Sequence, residues 1–210
     1  MPVRLLLADD HEIVRQSLRV LLEREGFEIL AEAANGHEAV NQARACHPQV
    51  AILDLNMPLL NGLEAAREIL HDSPATRCVL LTMHTDERYV LEAMQAGISG
   101  YVLKSKSSRE LVQAIHEALC GAVFLSPDVS ATVVRAYLNK SEPAAELLGN
   151  RERQVLQLVA EGKTTKDIAG VLGISAKTAE SHRSHIMQKL EIHNTAGLVR
   201  YAIRRGLIQP

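Results

Sequence analysis

Three aspartates stand at or near the ends of two short apolar runs. Asp9 and Asp10 follow "VRLLLA" (residues 3–8), and Asp54 lies near the end of "VAILDL" (residues 50–55). An ionised carboxylate is costly to bury, and carboxylates that lie close together repel one another. A divalent cation would offset that charge, and a site made only of oxygen ligands suits Mg²⁺. The pattern therefore predicts a magnesium site, provided that the two runs lie side by side.

The alternation of runs and helical patterns over the first 120 residues supplies that condition. Apolar runs occupy residues 3–8, 27–33, 50–55, 78–83 and 100–103, and helical patterns occupy residues 11–26, 35–47, 61–71, 86–96 and 107–119. Such alternation predicts an α/β fold, a flavodoxin-like (βα)5 parallel sheet with helices on both faces. In the strand order 2-1-3-4-5 the first and third strands are neighbours, and ligands bind beyond the carboxyl ends of the strands.

Two further polar side chains are expected at the same edge of the sheet. Thr82 lies in the fourth run near its end, and Lys104 follows the fifth run. Taken singly, each candidate has an ordinary explanation: a helix cap for Asp9 and Asp10, a strand-end turn for Asp54, and a surface charge for Lys104. Their placement at successive strand ends favours a site that combines three acids, a hydroxyl and an ammonium.

Four segments of this region resemble the receiver domain of two-component response regulators: "LLLADDHEIVRQSL", "AILDLNMPLLNG", "LLTMH" and "AGISGYVLKS". The resemblance covers about 120 residues. It implies that Asp54 accepts a phosphoryl group from a histidine kinase. It also implies that Asp10 binds Mg²⁺ directly, that Asp9 acts mainly through water, and that Asp54 and the backbone carbonyl of Asn56 complete the protein ligands.

The same resemblance assigns roles around the phosphoryl group. Lys104 would contact the phosphoryl oxygens, Thr82 would hydrogen-bond to them, and Tyr101 would act as an aromatic switch, with a half-buried strand tyrosine as the simpler interpretation. Two residues depart from the common pattern: Ser105 stands where many receivers have proline, and Met83 is larger than the usual small residue. The resemblance therefore does not fix how long the phosphoryl group lasts.

The composition changes after residue 120. Residues 121–145 contain one short helical pattern, at 127–139, and are interpreted as a linker with a short helix. Helices are then predicted at residues 151–161, 164–172, 175–190 and 194–205. The predicted domains are a receiver at 1–120, the linker at 121–145, and an all-α helix-turn-helix DNA-binding domain at 146–210.

Residues 164–183 have the lengths of a helix-turn-helix, and the second helix has a polar outer face suited to a major groove. An ordinary solvated helix surface is the alternative. The segment "NRERQVLQLVAEGKTTKDIAGVLGISAKTAESHRSHIMQKLEI" resembles the LuxR-type DNA-binding domain of NarL/FixJ regulators. That resemblance places residues 175–190 in the major groove and makes the last helix a dimer contact, with core packing as the alternative. The candidate DNA-binding residues are Lys163, Thr165, Lys177, Thr178, Glu180, Ser181, Ser184, His185 and Gln188.

Charge and cysteine content agree with two modules. The chain has a net charge of −2, made of −6 over residues 1–120 and +4 over residues 121–210. This division suggests modules with different partners, although the basic excess alone does not establish DNA binding. Three widely spaced cysteines are expected to be reduced thiols in the core, and the sequence has no pattern of a signal peptide or membrane span. We therefore expect a cytoplasmic protein without a membrane partner.

The sequence thus predicts a transcription regulator switched by phosphorylation of Asp54. Its expected partners are a sensor histidine kinase, double-stranded DNA and a second copy of the chain. A phosphotransfer or phosphatase enzyme that uses Asp54 as a nucleophile is an alternative. However, the Asp-x-Asp pattern of aspartyl phosphatases is absent, because Leu55 and Asn56 follow. A protein-interaction switch without DNA is a third class, and the basic second module argues against it.

Overall fold

The computed structural model of the 210-residue chain describes residues 2–138, 148–205 and 207–208, leaving out the side chains of 87, 88, 132 and 134–138. The chain divides into two compact units, Met1–Pro143 and Ala144–Pro210. Residues 139–147, where the predicted linker ends and the predicted second domain begins, lie outside the described ranges.

A parallel sheet forms the centre of the first unit. Its strands are β1 (Arg4–Ala8), β2 (Glu28–Ala33), β3 (Val50–Asp54), β4 (Arg77–Thr82), β5 (Gly100–Leu103) and β6 (Phe124–Leu125). Their order is β2-β1-β3-β4-β5-β6, and every pair is parallel. The predicted flavodoxin-like order is confirmed for the first five strands. The two-residue β6 is an addition that the sequence analysis did not predict.

Five helices cover the two faces of this sheet: α1 (Glu12–Arg24), α2 (Gly36–Cys46), α3 (Gly62–Asp72), α4 (Glu87–Gln95) and α5 (Ser108–Leu119). Alternate strand residues point to opposite faces. Leu6 packs in the core that contains α2, α3 and α4, whereas Leu5 and Leu7 pack in the core that contains Leu22 of α1 and Ile115 of α5. The strands are apolar on both faces because both faces are covered.

The segment after α5, interpreted from the sequence as a linker with a short helix, contains a strand and the helix predicted at residues 127–139. Phe124 pairs with Gly100 and Leu125 with Tyr101, so β6 extends the sheet beyond β5. The next helix, α6 (Pro127–Leu138), buries Val129 completely in the core that contains α4. Residues 124–133 therefore pack on the first unit, because apolar side chains are more stable when they are buried against the sheet than when they are exposed to solvent.

The described part of the second unit consists of four helices: α7 (Asn150–Ala160), α8 (Thr165–Leu172), α9 (Ala176–Leu190) and α10 (Thr195–Arg204). Side chains of all four are buried in it, among them Leu156, Ile168, Ile186 and Leu198. Thr164 and Ser175 accept backbone N–H groups at the starts of α8 and α9, and threonine and serine are preferred residues at such positions.

Two further expectations from the sequence concern the cysteines and membrane-spanning helices. Cys46, Cys78 and Cys120 are all free thiols, and burial raises the pKa of Cys78 to about 12. The prediction of a core position is wrong for Cys120, which is exposed at the end of α5. Within the ranges described above, no helix combines the length and the apolar character that crossing a bilayer requires.

Candidate functional site

The carboxyl ends of β1 and β3 bring the three aspartates together. Ala8 pairs with Leu53 in the sheet, so the residues that follow β1 lie beside Asp54, the last residue of β3. One ligand atom from each of Asp9, Asp10, Asp54 and His11 can be chosen such that all four lie within 4.8 Å of one another. This group is called the acidic cluster below. The sequence analysis predicted its three aspartates but did not assign His11.

Lys104 joins two members of the acidic cluster. Its Nζ lies 2.8 Å from Asp54 Oδ2 and 2.7 Å from Asp9 Oδ2. Both carboxylates are almost completely buried, with 3% of Asp54 and 1% of Asp9 exposed. A single ammonium is therefore shared by two carboxylates that solvent barely reaches, and it offsets only part of their combined charge.

Burial and ion pairing act in opposite directions on the pKa values of these groups. Burial raises the pKa of Asp54 above its usual value, and the hydrogen bond and charge of Lys104 offset only part of that rise. Burial alone would lower the pKa of Lys104, but hydrogen bonds to Asp54 and Asp9 outweigh it and the pKa is raised. Lys104 therefore stays protonated at neutral pH.

The turn between β1 and α1 has a fixed local geometry. Asp9 Oδ1 accepts the backbone N–H of His11 at 2.9 Å, and His11 Nδ1 lies 2.8 Å from Asp10 Oδ1. The backbone N–H of Asp9 donates to the carbonyl of Ala33 in β2 at 3.1 Å. Arg15 donates to the Asp9 carbonyl from α1 at 2.6 Å. The sequence analysis missed Arg15, because its partner is a backbone atom that leaves no mark on residue type.

A glycine allows the strand end and the next helix to approach closely. A Cβ at Gly62, the first residue of α3, would lie 2.0 Å from the carbonyl oxygen of Asp54. No side chain fits in that space, so this glycine sets how closely α3 approaches the end of β3. The position of Asp54 depends on that approach.

His84 connects the other predicted residues. Its backbone N–H donates to Thr82 Oγ1 at 3.1 Å, and its carbonyl accepts the Tyr101 hydroxyl at 3.0 Å. Its ring Nε2 lies 2.7 Å from Asn56 Nδ2. Thr82 and Tyr101 are completely buried, and burial raises the pKa of the Tyr101 hydroxyl above its usual value. The sequence analysis did not assign His84, which links the loops after β3 and β4.

The donor set of the acidic cluster fits a magnesium ion. Its carboxylates supply the oxygen ligands that Mg²⁺ prefers. Asp9 Oδ2 lies 2.7 Å from Lys104 Nζ, and a carboxylate oxygen that faces one ammonium retains a lone pair for a cation. Asp9, Asp10, Asp54 and the carbonyl of Asn56 are the groups that would hold the ion.

The second unit presents the predicted helix-turn-helix. Ala169, Leu172 and Ala179 are buried where α8 meets α9, and Gly173 adopts a left-handed conformation, with φ of 63°, in the turn between them. Thr165 Oγ1 donates to Glu180 Oε2 at 2.9 Å and ties the start of α8 to α9. Thr165 is half-buried, and the other eight predicted DNA-binding residues are exposed: Lys163, Lys177, Thr178, Glu180, Ser181, Ser184, His185 and Gln188.

The two units define a class of protein, a phosphoacceptor-type α/β domain followed by a helix-turn-helix domain. Residues 5–116 match the response regulator receiver domain, and residues 146–202 match the bacterial regulatory proteins of the luxR family. The transcriptional regulatory protein MctR of Rhizobium johnstonii is 35% identical over 207 residues, which are 98% of this chain and 95% of that relative. The response regulator UvrY of Escherichia coli K12 is 33% identical over 98% of this chain and 95% of its own length.

The chain is also similar to solved structures of response regulators. A LuxR-family two-component response regulator from Aurantimonas sp. SI85-9A1 has 40% identity and a TM-score of 0.63, covering 66% of this chain and 99% of its own. RcsB from Salmonella enterica serovar Typhimurium, bound to promoter rprA, has 28% identity and a TM-score of 0.60, covering 95% of this chain and 97% of its own.

The chain belongs to the two-component response regulators that join a receiver domain to a luxR-family DNA-binding domain. Members of this family are DNA-binding transcription regulators rather than enzymes, which excludes the phosphatase alternative.

Proposed function

We propose that Asp54 is the phosphoacceptor of this regulator and that a sensor histidine kinase supplies the phosphoryl group. One Asp54 carboxylate oxygen attacks phosphorus, and the bond from phosphorus to the kinase histidine nitrogen breaks. The observation that carries this proposal is the position of Lys104, whose Nζ lies 2.8 Å from Asp54 Oδ2 in a site that solvent barely reaches. Phosphoryl transfer depends mainly on positioning and on neutralising the phosphoryl oxygens, and a buried ammonium contributes to both.

The remaining residues of the site have separate proposed roles. Receiver domains bind Mg²⁺ at an acidic pocket, and here Asp9, Asp10, Asp54 and the Asn56 carbonyl would hold the ion. Bound there, Mg²⁺ would offset negative charge on the phosphoryl oxygens.

The proposed switch residues, Thr82 and Tyr101, lie on strands β4 and β5. Lys104 would exchange part of its pairing with Asp54 for the new phosphoryl oxygens, and Thr82 would donate its hydroxyl to them. Thr82 Oγ1 already accepts the His84 N–H, and the His84 carbonyl accepts the Tyr101 hydroxyl. A movement of Thr82 would therefore be transmitted to Tyr101 through His84. Tyr101 is therefore the proposed switch.

We propose that the DNA-binding surface is the exposed face of α9 with the start of α8. Phosphate contacts would come from Lys163, Thr165, Lys177 and Thr178, while Glu180, Ser181, Ser184, His185 and Gln188 would face the groove. Phosphate contacts position a protein on DNA, whereas contacts to base edges give specificity. Solved RcsB structures include a DNA complex and two RcsB dimers bound to two parallel DNAs, which supports double-stranded DNA and a homodimer here.

The domain assignment follows the same reasoning. We propose residues 1–120 as the receiver and residues 146–210 as the DNA-binding domain. Residues 121–145 connect them, although the first part of this connection packs on the receiver sheet. A regulator that binds chromosomal DNA works in the cytoplasm, and that is the proposed location.

Labelling of Asp54 tests the proposed phosphoacceptor. The full chain is incubated with radiolabelled acetyl phosphate, with and without Mg²⁺, and Asp54→Asn is compared with wild type. We expect wild-type labelling that requires Mg²⁺ and loss of at least 90% of it in Asp54→Asn, because the amide is not a nucleophile (a loss of about tenfold or more, as for removal of a reacting group).

Asp72→Asn is the matched control, since Asp72 is a carboxylate of the same unit on α3, outside the acidic cluster. It should be labelled like wild type. Persistent labelling of Asp54→Asn would show that another residue is the phosphoacceptor.

A further inference from the structure

Arg15 connects three elements around the turn that carries the acidic cluster. From α1, its Nη1 donates to the Asp9 carbonyl at 2.6 Å, and its Nε donates to Glu32 Oε2 of β2 at 3.3 Å. Glu32 Oε1 also accepts Arg19 Nη1 at 2.7 Å, so Glu32 is held from two sides. Only 16% of the Arg15 side chain is exposed, which limits competition from water.

The Asp9 carbonyl belongs to the peptide that joins Asp9 to Asp10. The other polar groups of Asp9 on the described chain are already engaged: its N–H by Ala33, its Oδ1 by the His11 N–H, and its Oδ2 by the charge of Lys104. The bond from Arg15 therefore determines how the Asp9–Asp10 peptide is oriented. That peptide in turn determines the direction in which Asp10 leaves the backbone.

The guanidinium suits this arrangement better than an ammonium would. Its planar fork reaches a backbone carbonyl and a carboxylate on two different elements at once, whereas a lysine offers a compact charge on a flexible stem. Arg15 also places a positive charge against the backbone of the turn that carries two of the three aspartates.

We propose that Arg15 is a positioning residue of the phosphoacceptor site. It holds the Asp9–Asp10 peptide so that the carboxylates on both residues face one divalent cation together with Asp54. This inference rests on the proposed role of the acidic cluster in binding Mg²⁺. Outer partners that orient metal ligands typically contribute about 10- to 100-fold to metal affinity.

Arg15→Lys and Arg19→Lys form a matched pair, because both arginines lie on α1 and both bind Glu32, whereas the other partner of Arg19 is Glu23. Magnesium affinity of the full chain is measured by calorimetric titration with MgCl₂. Acetyl phosphate labelling is measured across a range of Mg²⁺ concentrations. We expect Arg15→Lys to weaken Mg²⁺ binding about tenfold and to raise the Mg²⁺ concentration for half-maximal labelling equally, while the rate at saturating Mg²⁺ stays within about twofold of wild type. Arg19→Lys should keep wild-type affinity.

Three outcomes would overturn the inference. Unchanged Mg²⁺ affinity in Arg15→Lys would remove the positioning role, and an equal loss in Arg19→Lys would assign the effect to the contact with Glu32 that both arginines make. A loss of labelling rate in Arg15→Lys that saturating Mg²⁺ does not restore would indicate a general structural defect. Arg15→Gln, which keeps a donor for the Asp9 carbonyl, should then show the same loss of labelling rate. If wild type neither binds Mg²⁺ nor is labelled, the proposed function itself fails, which distinguishes that case from failure of the Arg15 role alone.

Discussion

Lys104 has one positive charge and two buried carboxylate partners, Asp9 and Asp54. Since both carboxylates are almost fully buried, the single charge of Lys104 compensates only part of their negative charge when both are ionised. Burial accordingly holds the pKa of Asp54 above its usual value. A raised carboxyl pKa means that the folded protein binds a proton more readily than the unfolded chain does. Ionisation of Asp54 therefore costs stability as the pH rises through the interval between the unfolded and folded pKa values.

Asp54→Asn should therefore melt at a higher temperature than wild type at pH 7 without divalent cations, because the amide is uncharged and similar in size. The gain should be a few degrees, since about 1 kcal/mol corresponds to roughly 2–4 °C in a chain of this size. The difference should shrink as the pH falls toward the ordinary carboxyl pKa. Differential scanning calorimetry between about pH 4 and pH 8 measures it.

Asp72→Asn should change stability in the opposite direction. Contacts with His71 and then Arg44 lower the pKa of Asp72, so its ionised form stabilises the folded state above the ordinary carboxyl pKa.

A lower melting temperature for Asp54→Asn at pH 7 would mean that the attraction of Lys104 outweighs the cost of burial.

The sequence was sufficient to predict that Asp9, Asp10 and Asp54 would meet, and the structure brings them together. Each lies at a strand end, and the strand order follows from the alternation of runs and helices. Arg15 and His84 escaped prediction for a physical reason. Their contacts join separate elements, Arg15 to the Asp9 carbonyl and Glu32, and His84 to Asn56 and Tyr101. Such contacts depend on the relative placement of elements rather than on a residue pattern.

At the scale of elements, the junction of β5 with β6 is held by one buried serine. Ser126 Oγ accepts the Leu103 N–H at 3.2 Å and donates to Glu110 Oε2 at 2.6 Å, thus joining β5, α5 and the start of α6. Ser126 is completely buried. Its hydroxyl satisfies a backbone group at the end of the strand that leads to Lys104.

Ser126→Ala should destabilise the first unit by about 1–3 kcal/mol, because it leaves the buried Leu103 N–H without this partner and removes a hydrogen bond from the half-buried Glu110 carboxylate. Urea unfolding of the full chain measures the change. Ser130→Ala is the matched control on α6, since both Ser130 contacts are long, at 3.4 Å, and its loss should be within about 0.5 kcal/mol. Equal losses in the two variants would show that the Ser126 bonds contribute little.

The elements with clear periodicity were predicted closely, and β6 was not. For example, α9 was predicted at residues 175–190 and runs from Ala176 to Leu190. A two-residue strand has no alternation to detect, and its neighbours Gly121 and Pro127 are typical of a linker. What fixes β6 is the open edge of β5, which is a property of the assembled sheet and is not written in residues 121–127.

At the scale of the whole molecule, the acidic and basic parts have separate tasks. Residues 1–120 carry a net charge of −6, and residues 121–210 carry +4. The net charge of −2 would oppose binding to DNA if it were evenly spread. Lys163 and Lys177 are exposed on the proposed DNA-binding surface, so positive charge lies where the phosphates would be and local charge matters more than the total.

Lys177→Ala should weaken binding to a random duplex and reduce the slope of log affinity against log salt by about 1, because one phosphate contact is lost. Fluorescence anisotropy of the full chain between about 50 and 200 mM salt measures this. Ser181→Ala should instead change which sequences are selected from a random DNA library.

Arg24→Ala is the control for Lys177→Ala, since Arg24 lies at the end of α1 in the first unit. Its salt slope should equal that of wild type. Unchanged binding and unchanged selection in the Lys177 and Ser181 variants would be incompatible with α9 as the recognition helix.

The placement of β6 also determines where this protein can be cut. An isolated receiver that stops at residue 120 would expose the main-chain edge of β5, where Gly100 and Tyr101 now pair with β6, and would uncover the seat of Val129. An unprotected edge beside an apolar surface is a template on which other chains add strands and aggregate. A fragment extended through residue 138 keeps that edge capped, so a fragment meant to stay soluble should end after α6 rather than at residue 120.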